Sequence, residues 1–202
     1  MPEPRYRRRK EDRPREIVEA AFAAFSEKGY AATRVEEVAK RAGVSKGLMY
    51  LYFKTKEELF KAVIRNVVVP RVEALASNAD RTETTAEEFI RGPLSNFLKQ
   101  LPGSPVAVVV RLMISEGPRH PELVEFYWEN VISRGMGAFS ELLERGVATG
   151  EFRHTAVNDL PQLFLAPAML AVIWKLVLTG HPLDSDKLIE THIELILAHI
   201  KA

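Results

Sequence analysis

Residues 33–53 read Thr-Arg-Val-Glu-Glu-Val-Ala-Lys-Arg-Ala-Gly-Val-Ser-Lys-Gly-Leu-Met-Tyr-Leu-Tyr-Phe, and they predict two short helices joined by a tight turn. Thr33 and Glu36 have the spacing of a capping box, in which a hydroxyl and a carboxylate satisfy free amide groups at the start of a helix. Gly43 suits the turn that follows. The segment therefore predicts a helix-turn-helix.

The second of these helices, expected from Ser45 to about Tyr52, has the residue types that reading a DNA groove requires. At its start, Ser45 and Lys46 can donate to bases or phosphates, and Gly47 permits close approach. Tyr50 and Tyr52 can each donate a hydrogen bond to a phosphate oxygen. We expect this helix to enter the major groove. A helical hairpin that never binds DNA could show the same pattern, with the tyrosines as ordinary half-buried aromatics.

Basic residues outside this helix favour DNA binding over the plain hairpin. Arg7, Arg8 and Arg9 belong to a basic arm, and such arms add phosphate or minor-groove contacts. Thr33 and Lys56 are expected at helix N-termini, where free amide groups favour an anion. We therefore predict that all five residues contact DNA.

The charge of the chain is divided unevenly. The 202 residues have a net charge of +1, but residues 1–56 contain 14 Lys/Arg against 8 Asp/Glu, and residues 57–202 contain 14 against 19. A basic N-terminal part on an acidic body is typical of polyanion binding, although a solvated surface could have the same balance.

Several classes of chemistry find no support in the sequence. The chain has no cysteine, which excludes disulfides, thiolate metal ligands and a cysteine nucleophile. Its five histidines form no His-Glu-x-x-His pattern, and neither a phosphate-binding glycine loop nor a nucleophile elbow is present. We therefore expect no enzyme activity, no catalytic residue, no metal site and no cofactor.

Apolar residues recur at three- and four-residue spacing along the whole chain, which predicts an all-α fold. We expect a DNA-binding domain over residues 1–60 and a larger helical domain over residues 61–202. The first helix should run from Pro14 to about Lys28, a capping box of Thr55 and Glu58 should open the fourth, and Pro70 should end it. Further helices are expected near residues 85–101, 105–116, 121–148, 158–179 and 185–201, with a loop over residues 77–84.

Residues 14–60 resemble the DNA-binding domain of the tetracycline-repressor (TetR) family. The resemblance is carried by Ala39-Lys-Arg-Ala-Gly-Val-Ser-Lys-Gly, Tyr50, Phe53, Lys54, Lys56 and Glu57-Glu58-Leu59. It implies a three-helix DNA-binding head and a larger helical body that dimerises and binds an effector. It also implies contacts with double-stranded operator DNA by Thr33, Ser45, Lys46, Gly47, Tyr50 and Lys56, in a cytoplasmic, nucleoid-associated protein of bacterial type.

Two positions depart from the usual pattern of that family. Leu48 stands where a small or polar residue is common, and it could contact a thymine methyl group. Leu51 stands where a second aromatic is common, so that a phosphate donor is lost, for which Tyr52 could partly compensate. The operator sequence therefore cannot be inferred from the operator of a relative.

Aromatic and sulfur-containing residues of the body could line a cavity for a small apolar or amphipathic effector. Each of them could equally be plain core. Arg111 interrupts an apolar run and could fix a polar group of the ligand, although a salt bridge on a helix surface would also explain it. The predicted ligand-binding residues are Phe89, Phe97, Arg111, Met113, Tyr127, Trp128, Phe164 and Trp174; Phe126, Phe139 and Met169 are further candidates.

Residues 160–178 are apolar nearly all round, which is more than one intramolecular face requires. Two prolines, Gln162 and Lys175 interrupt this stretch, and it has no basic flank, so we interpret it as a buried helix with no membrane contact. We expect a homodimer in which it packs with the last helix of a partner, although it could instead be central to its own bundle. The predicted interface residues are Leu163, Leu170, Ile189, Ile193, Ile196 and Ile200.

The sequence thus favours a homodimeric transcriptional regulator, a repressor that a small effector releases from its operator. The fourth helix, which joins head and body, should transmit the signal. Two alternatives stay open: a helix-turn-helix regulator without a small ligand, and a helical protein-interaction module.

Overall fold

The computed structural model describes residues 5–80 and 83–202, with side chains from Arg13 onward. Within these ranges the chain is helical and has no strand, apart from one isolated bridge between Phe152 and Lys201, which confirms the all-α prediction. The α-helices are α1 (Arg5–Ala32), α2 (Val35–Arg41), α3 (Lys46–Tyr52), α4 (Lys56–Val67), α5 (Val69–Ala79), α6 (Ala86–Phe89), α7 (Ser95–Gln100), α8 (Pro105–Glu116), α9 (Pro121–Tyr127), α10 (Ser133–Ala148), α11 (Gln162–Val177) and α12 (Ser185–Ile200).

Helices α1 to α4 form the head around a small aromatic core. Ile17 and Phe25 of α1 are fully buried, as the apolar spacing of this helix predicts. The ring of Phe60 on α4 meets the ring of Phe25 edge-on at 5.3 Å between centroids, and the ring of Tyr30 at 5.2 Å. Met49 of α3 is also fully buried, which seats the predicted recognition helix on this core.

Helix α1 is longer than expected. It begins at Arg5 rather than at Pro14, because the basic run before the proline consists mainly of good helix formers. At the other end, Gly29 breaks the helix with a φ of 80°, and a last turn continues to Ala32. The predicted stop at Gly29 is therefore a kink, which only glycine adopts without strain.

The predicted capping box of Thr33 is wrong. Its side chain is buried, and its Oγ1 donates to the carbonyl of Gly29 at 2.7 Å, so it completes α1 instead of starting α2. The residue that precedes α2 is Arg34, whose side chain forms no capping hydrogen bond. Ser45 Oγ accepts from the amide of Leu48, and Thr55 Oγ1 accepts from the amide of Glu58, as the sequence suggests. The predicted capping box of Thr55 is only half formed, because the carboxylate of Glu58 accepts from the amide of Lys54 instead.

Head and body share one apolar core. Residue 60, where the sequence analysis divides them, lies inside α4, which ends before Pro70 as predicted. The same buried cluster continues from Leu59 and Phe60 into Val106 and Leu112 of α8. A second buried cluster joins α6, α7, α10, α11 and α12.

The body helices follow the predicted spans with three differences. Helix α5 was not predicted and runs to Ala79, inside the expected loop, and α11 is shorter at both ends than predicted. Two of the long predicted helices contain a π-helical turn, at Ile90–Leu94 and at Trp128–Ile132. Pro93 accounts for the first of these turns, because proline cannot donate to the regular helical ladder.

Four of the predicted interface residues, Ile189, Ile193, Ile196 and Ile200, are buried in the core of their own chain. Each is at most 7 % exposed, because α12 packs this stripe onto α7 and α11. Placing them in a dimer interface was therefore wrong. Leu163 and Leu170 are exposed, however, and an apolar surface remains on the outer side of α11 and α12, formed by Leu163, Leu170, Ile173, Val177 and Leu195.

In the part of the chain that the structure describes, no single helix combines the length and apolarity needed to cross a membrane. The bent pair Ala86–Gly103 and Pro105–Arg119 meets that requirement by length and composition alone.

Gly146 of α10 offers a test of this packing. A Cβ atom there would lie 2.5 Å from the ring of Phe152, so Gly146→Ala should lower the free energy of unfolding by about 1–3 kcal/mol through overpacking. Gly137→Ala on the same helix is the matched control, because a Cβ there meets no atom within 4 Å. The control should be neutral or stabilise by up to about 1 kcal/mol. Urea unfolding of both variants measures the difference, and equal stabilities would contradict the packing described.

Candidate nucleic-acid interface and body cavity

Helix α3 has one face in the head core and one face open to solvent. Met49 is fully buried, and Phe53 and Tyr52 pack against the core around it. On the opposite side Lys46 and Gly47 are exposed, at the end of the helix where free amide groups point outward. This open face has the length and the donors that contact with a DNA groove requires.

The predicted contact residues on α3 divide between these two faces. Ser45 is exposed at the start, although its Oγ already accepts from the amide of Leu48, which is itself half-buried. Tyr50 is half-buried one turn beyond Lys46, on the open side. Tyr52 packs against the core, which leaves it less available than the sequence suggested.

Leu51 is the recognition-helix residue that the sequence analysis undervalued. Its side chain is 67 % exposed, and it lies one turn after Gly47, so both residues share the open face. Its spacing of four residues from Gly47 could have predicted in the sequence that the two residues share a face. An exposed leucine in this place presents a methyl surface that suits contact with thymine. Lys54, just beyond the helix, is also exposed.

Lys46 is held by an acidic neighbour from α2. Its Nζ lies 2.7 Å from Oε1 of Glu36, with both side chains largely exposed, and 5.9 Å from the ring centroid of Tyr50. This hydrogen bond raises the pKa of Lys46 and lowers the pKa of Glu36. Both groups therefore stay charged near neutral pH, and a phosphate would have to compete with Glu36 for the ammonium group.

Thr33 and Lys56 serve the head itself in this structure. The hydroxyl of Thr33 is directed inward, and the ammonium of Lys56 donates to the carbonyls of Ala31 at 3.0 Å and of Thr33 at 2.9 Å. Burial lowers the pKa of Lys56, whose Nζ also lies 4.4 Å from the ring centroid of Tyr30. The predicted phosphate contact of the Thr33 hydroxyl is thus contradicted by its burial, and Lys56 closes the end of α1.

Two ion pairs fix α2 against α1. The guanidinium of Arg41 forms a two-pronged bond with Glu27, at 2.8 and 2.6 Å, and the ammonium of Lys28 pairs with Glu37. The bond to Arg41 lowers the pKa of Glu27. These pairs orient the helix-turn-helix on the first helix. The side chains of Arg7, Arg8 and Arg9 lie outside the described part of the chain.

The body contains a cavity of about 410 Å³ between α5, α7, α8, α9, α10 and α11. Its volume is within the range of small-molecule sites. Among the lining residues that the structure describes, Tyr127 carries the one polar side chain, and none is charged. The lining includes Val68, Val72, Leu75, Phe89, Leu94, Phe97, Leu98, Leu101, Val106, Val110, Met113, Ile114, Val124, Tyr127, Val131, Ile132, Met136, Ala138, Phe139, Phe164, Leu165 and Met169.

Five of the eight residues predicted to bind a ligand line this cavity, namely Phe89, Phe97, Met113, Tyr127 and Phe164, as do the further candidates Phe139 and Met169. The other three lie outside it for separate reasons. Arg111 donates to the carbonyl of Ser26 at 2.6 Å, Trp128 is about half exposed, and Trp174 donates to the carbonyl of His181 at 2.8 Å. The spacing of apolar residues predicted most of the cavity wall. It could not show which side of a helix faces the cavity when the opposite side also packs against the protein.

Helix α8 touches both the cavity and the head. Val106, Val110 and Met113 face the cavity, whereas Arg111 crosses to Ser26 on α1. At the end of α8 the carboxylate of Glu116 is buried, and its Oε2 has no hydrogen-bond partner within the described residues.

Two aromatic contacts extend this junction. The ring of His120 meets the ring of Tyr30 at 4.9 Å, and the guanidinium of Arg65 on α4 lies 4.7 Å from the ring centroid of Phe126 on α9. Contacts from α8 and α9 thus reach both the first and the fourth helix of the head.

Two family models match the chain. Residues 17–63 match the model described as bacterial regulatory proteins, tetR family, and residues 90–194, just over half of the chain, match the tetracyclin repressor-like C-terminal domain. The first match covers the helix-turn-helix, and the second covers most of the cavity wall.

Relatives and solved structures agree with this assignment over nearly the whole length. The fatty acid metabolism regulator protein of Bacillus subtilis is 25 % identical over 95 % of this chain and 98 % of its own length. The structure of the regulator FadR from Bacillus subtilis in complex with stearoyl-CoA covers 91 % of this chain and 97 % of its own, with a TM-score of 0.68 and 23 % identity. A SmeT–triclosan complex covers 94 % and 92 %, with a TM-score of 0.80 and 20 % identity, and these two structures support the fold.

Proposed function

Because this chain belongs to the TetR family of bacterial DNA-binding transcriptional regulators, we propose that it is a homodimeric repressor that a small apolar or amphipathic effector releases from its operator. The observation that carries this proposal is the position of α8, which borders the body cavity and is bonded to the head. Such a regulator works in the bacterial cytoplasm, at the nucleoid.

The open face of α3 is the proposed operator-reading surface. Ser45, Lys46 and Gly47 approach the base edges, Tyr50 donates to a phosphate, and Leu51 contacts a thymine methyl group. Binding requires that Lys46 exchange Glu36 for DNA. Affinity should fall steeply with salt, because each phosphate contact releases condensed counterions.

The exposed apolar surface of α11 and α12 is the proposed dimer interface. Leu170 is 47 % exposed and Leu195 67 % exposed, and large exposed apolar residues on neighbouring helices are normally covered by a partner. Packing the two helices against their twofold mates gives a four-helix bundle. Two heads related by that axis then read half-sites about 34–36 Å apart, or a multiple of that distance.

An effector in the cavity acts through a shift between two arrangements of the body. It presses on the α8 wall, and the bond from Arg111 to Ser26 carries the displacement into α1. Val68, at the junction of α4 and α5, also lines the cavity. The signal can therefore also pass through α4, as the sequence analysis expected, in addition to the route from α8 to α1. Oε2 of Glu116, which has no hydrogen-bond partner among the described residues, supports a junction that can rearrange.

Ligand control is favoured over the alternative without a ligand by the apolar cavity of the body. An empty cavity lowers stability, and filling it with a matching molecule restores the lost contacts. The relatives agree in kind, because FadR was solved with stearoyl-CoA and SmeT with triclosan.

Operator binding is tested with genomic fragments selected by the purified protein. Lys46→Ala should weaken binding to the selected fragment by about tenfold and flatten the salt dependence, whereas Glu36→Gln should strengthen it about two- to fivefold by freeing Lys46. Fluorescence anisotropy at several salt concentrations measures both effects.

Glu37→Gln is the matched control for Glu36→Gln, because it removes the same charge but frees Lys28 on α1, away from α3. Equal effects of the two glutamine variants would show that only net charge matters. An unchanged affinity of Lys46→Ala would refute the assigned face.

The dimer interface is tested by placing a charge on it. Leu170→Glu and Leu195→Glu should each shift the protein from dimer to monomer at micromolar concentration, because an unpaired carboxylate would be buried between the subunits. Light scattering after size-exclusion chromatography measures the mass. Leu51→Glu, an equally exposed leucine on the head, should stay dimeric. Dimeric Leu170→Glu and Leu195→Glu proteins would place the interface elsewhere.

A further inference from the structure

The cavity wall restricts the chemistry of what it can hold, and this inference rests on the proposed function of the cavity as the effector site. The wall offers no charged side chain and, among its described residues, a single polar one, the phenol of Tyr127. An ionised group placed inside would lose its hydration without gaining a counterion. The wall therefore selects against buried charge.

Tyr127 is suited to act as a neutral hydrogen-bonding group. It lies at the end of α9, and burial raises its pKa to about 12, so the phenol stays protonated at physiological pH. A protonated phenol both donates and accepts. A ligand hydroxyl or carbonyl that meets it gains a hydrogen bond in surroundings that offer no competing side-chain partner.

The cavity is bordered by solvent-exposed residues on one side. Ile114 of α8 is 54 % exposed and Val124 of α9 is 45 % exposed, yet both line the cavity. Side chains that face both solvent and cavity mark its opening. A charged part of a ligand can remain hydrated there, between α8 and α9, while the apolar part lies inside.

We propose that the effector buries an uncharged apolar body in this cavity, hydrogen-bonds to Tyr127 through a hydroxyl or carbonyl group, and keeps any ionised group at the opening beside Ile114 and Val124. Tyr127 is then the residue that distinguishes oxygen-bearing ligands from plain hydrocarbons. The same wall rejects a compact ligand whose charge would have to enter.

Three probes that differ in one substituent test this assignment: biphenyl, 4-phenylphenol and biphenyl-4-carboxylate. Their affinities for the full-length protein are measured by displacement of the neutral fluorophore N-phenyl-1-naphthylamine. In the wild type, 4-phenylphenol should bind about fivefold more tightly than biphenyl, the value of one net hydrogen bond. The carboxylate should bind roughly 100-fold more weakly than 4-phenylphenol.

Tyr127→Phe removes only the hydroxyl and should make biphenyl and 4-phenylphenol bind equally. Ala138→Phe fills the cavity from α10 and should weaken all three probes, which assigns the binding to this site. The proposal would be overturned if the carboxylate bound as tightly as the phenol, or if the preference for the phenol persisted in Tyr127→Phe. It would also be overturned if Ala138→Phe bound the probes as tightly as the wild type, or if the wild type bound no probe.

Failure of the proposed function would look different. Operator affinity is measured separately with a probe that binds, and an unchanged operator affinity would refute the ligand response while leaving the assigned ligand chemistry intact.

Discussion

The hydrogen bond from Arg111 to the carbonyl of Ser26 ties a wall of the body cavity to the first helix of the head. Because the cavity face of α8 is apolar and its other face carries this arginine, one helix contacts both the cavity and α1. Helix α1 is also held by the shared core that includes Leu59, Phe60 and Val106, independently of the Arg111 bond. A change in the cavity therefore has a short, packed route to the DNA-reading helix.

The head and the body differ in how they are stabilised. Apolar packing and the Arg41–Glu27 bond fix the orientation of the helix-turn-helix, as the proposed contact with DNA requires. The body instead contains a cavity of about 410 Å³, and at the junction Oε2 of Glu116 has no hydrogen-bond partner among the described residues. Both features lower stability, and they suit the ligand-driven shift that we propose for this domain.

Much of the fold follows from local sequence signals, whereas several site residues depend on long-range contacts. Helical periodicity predicted the long helices except α5, which follows the expected end of α4, and Ser45 and Thr55 cap as their sequence position suggests. Thr33 has the same local pattern but turns inward, because the carbonyl of Gly29 at the kink of α1 lies within reach. The apolar spacing of α12 likewise could not show whether Ile193 faces a partner or its own chain, because burial in a dimer interface and burial in the core require the same sequence pattern.

The central claim is that filling the cavity weakens operator binding through α8. Ala138→Phe fills the cavity without any ligand, and the most direct measurement is the operator affinity of this variant in the dimeric, folded state. The account predicts about a tenfold loss relative to wild type, within the usual range of allosteric coupling, and recovery when Arg111→Met is added to cut the link to α1. Wild-type affinity in the Ala138→Phe protein, or a loss that Arg111→Met does not relieve, would contradict it.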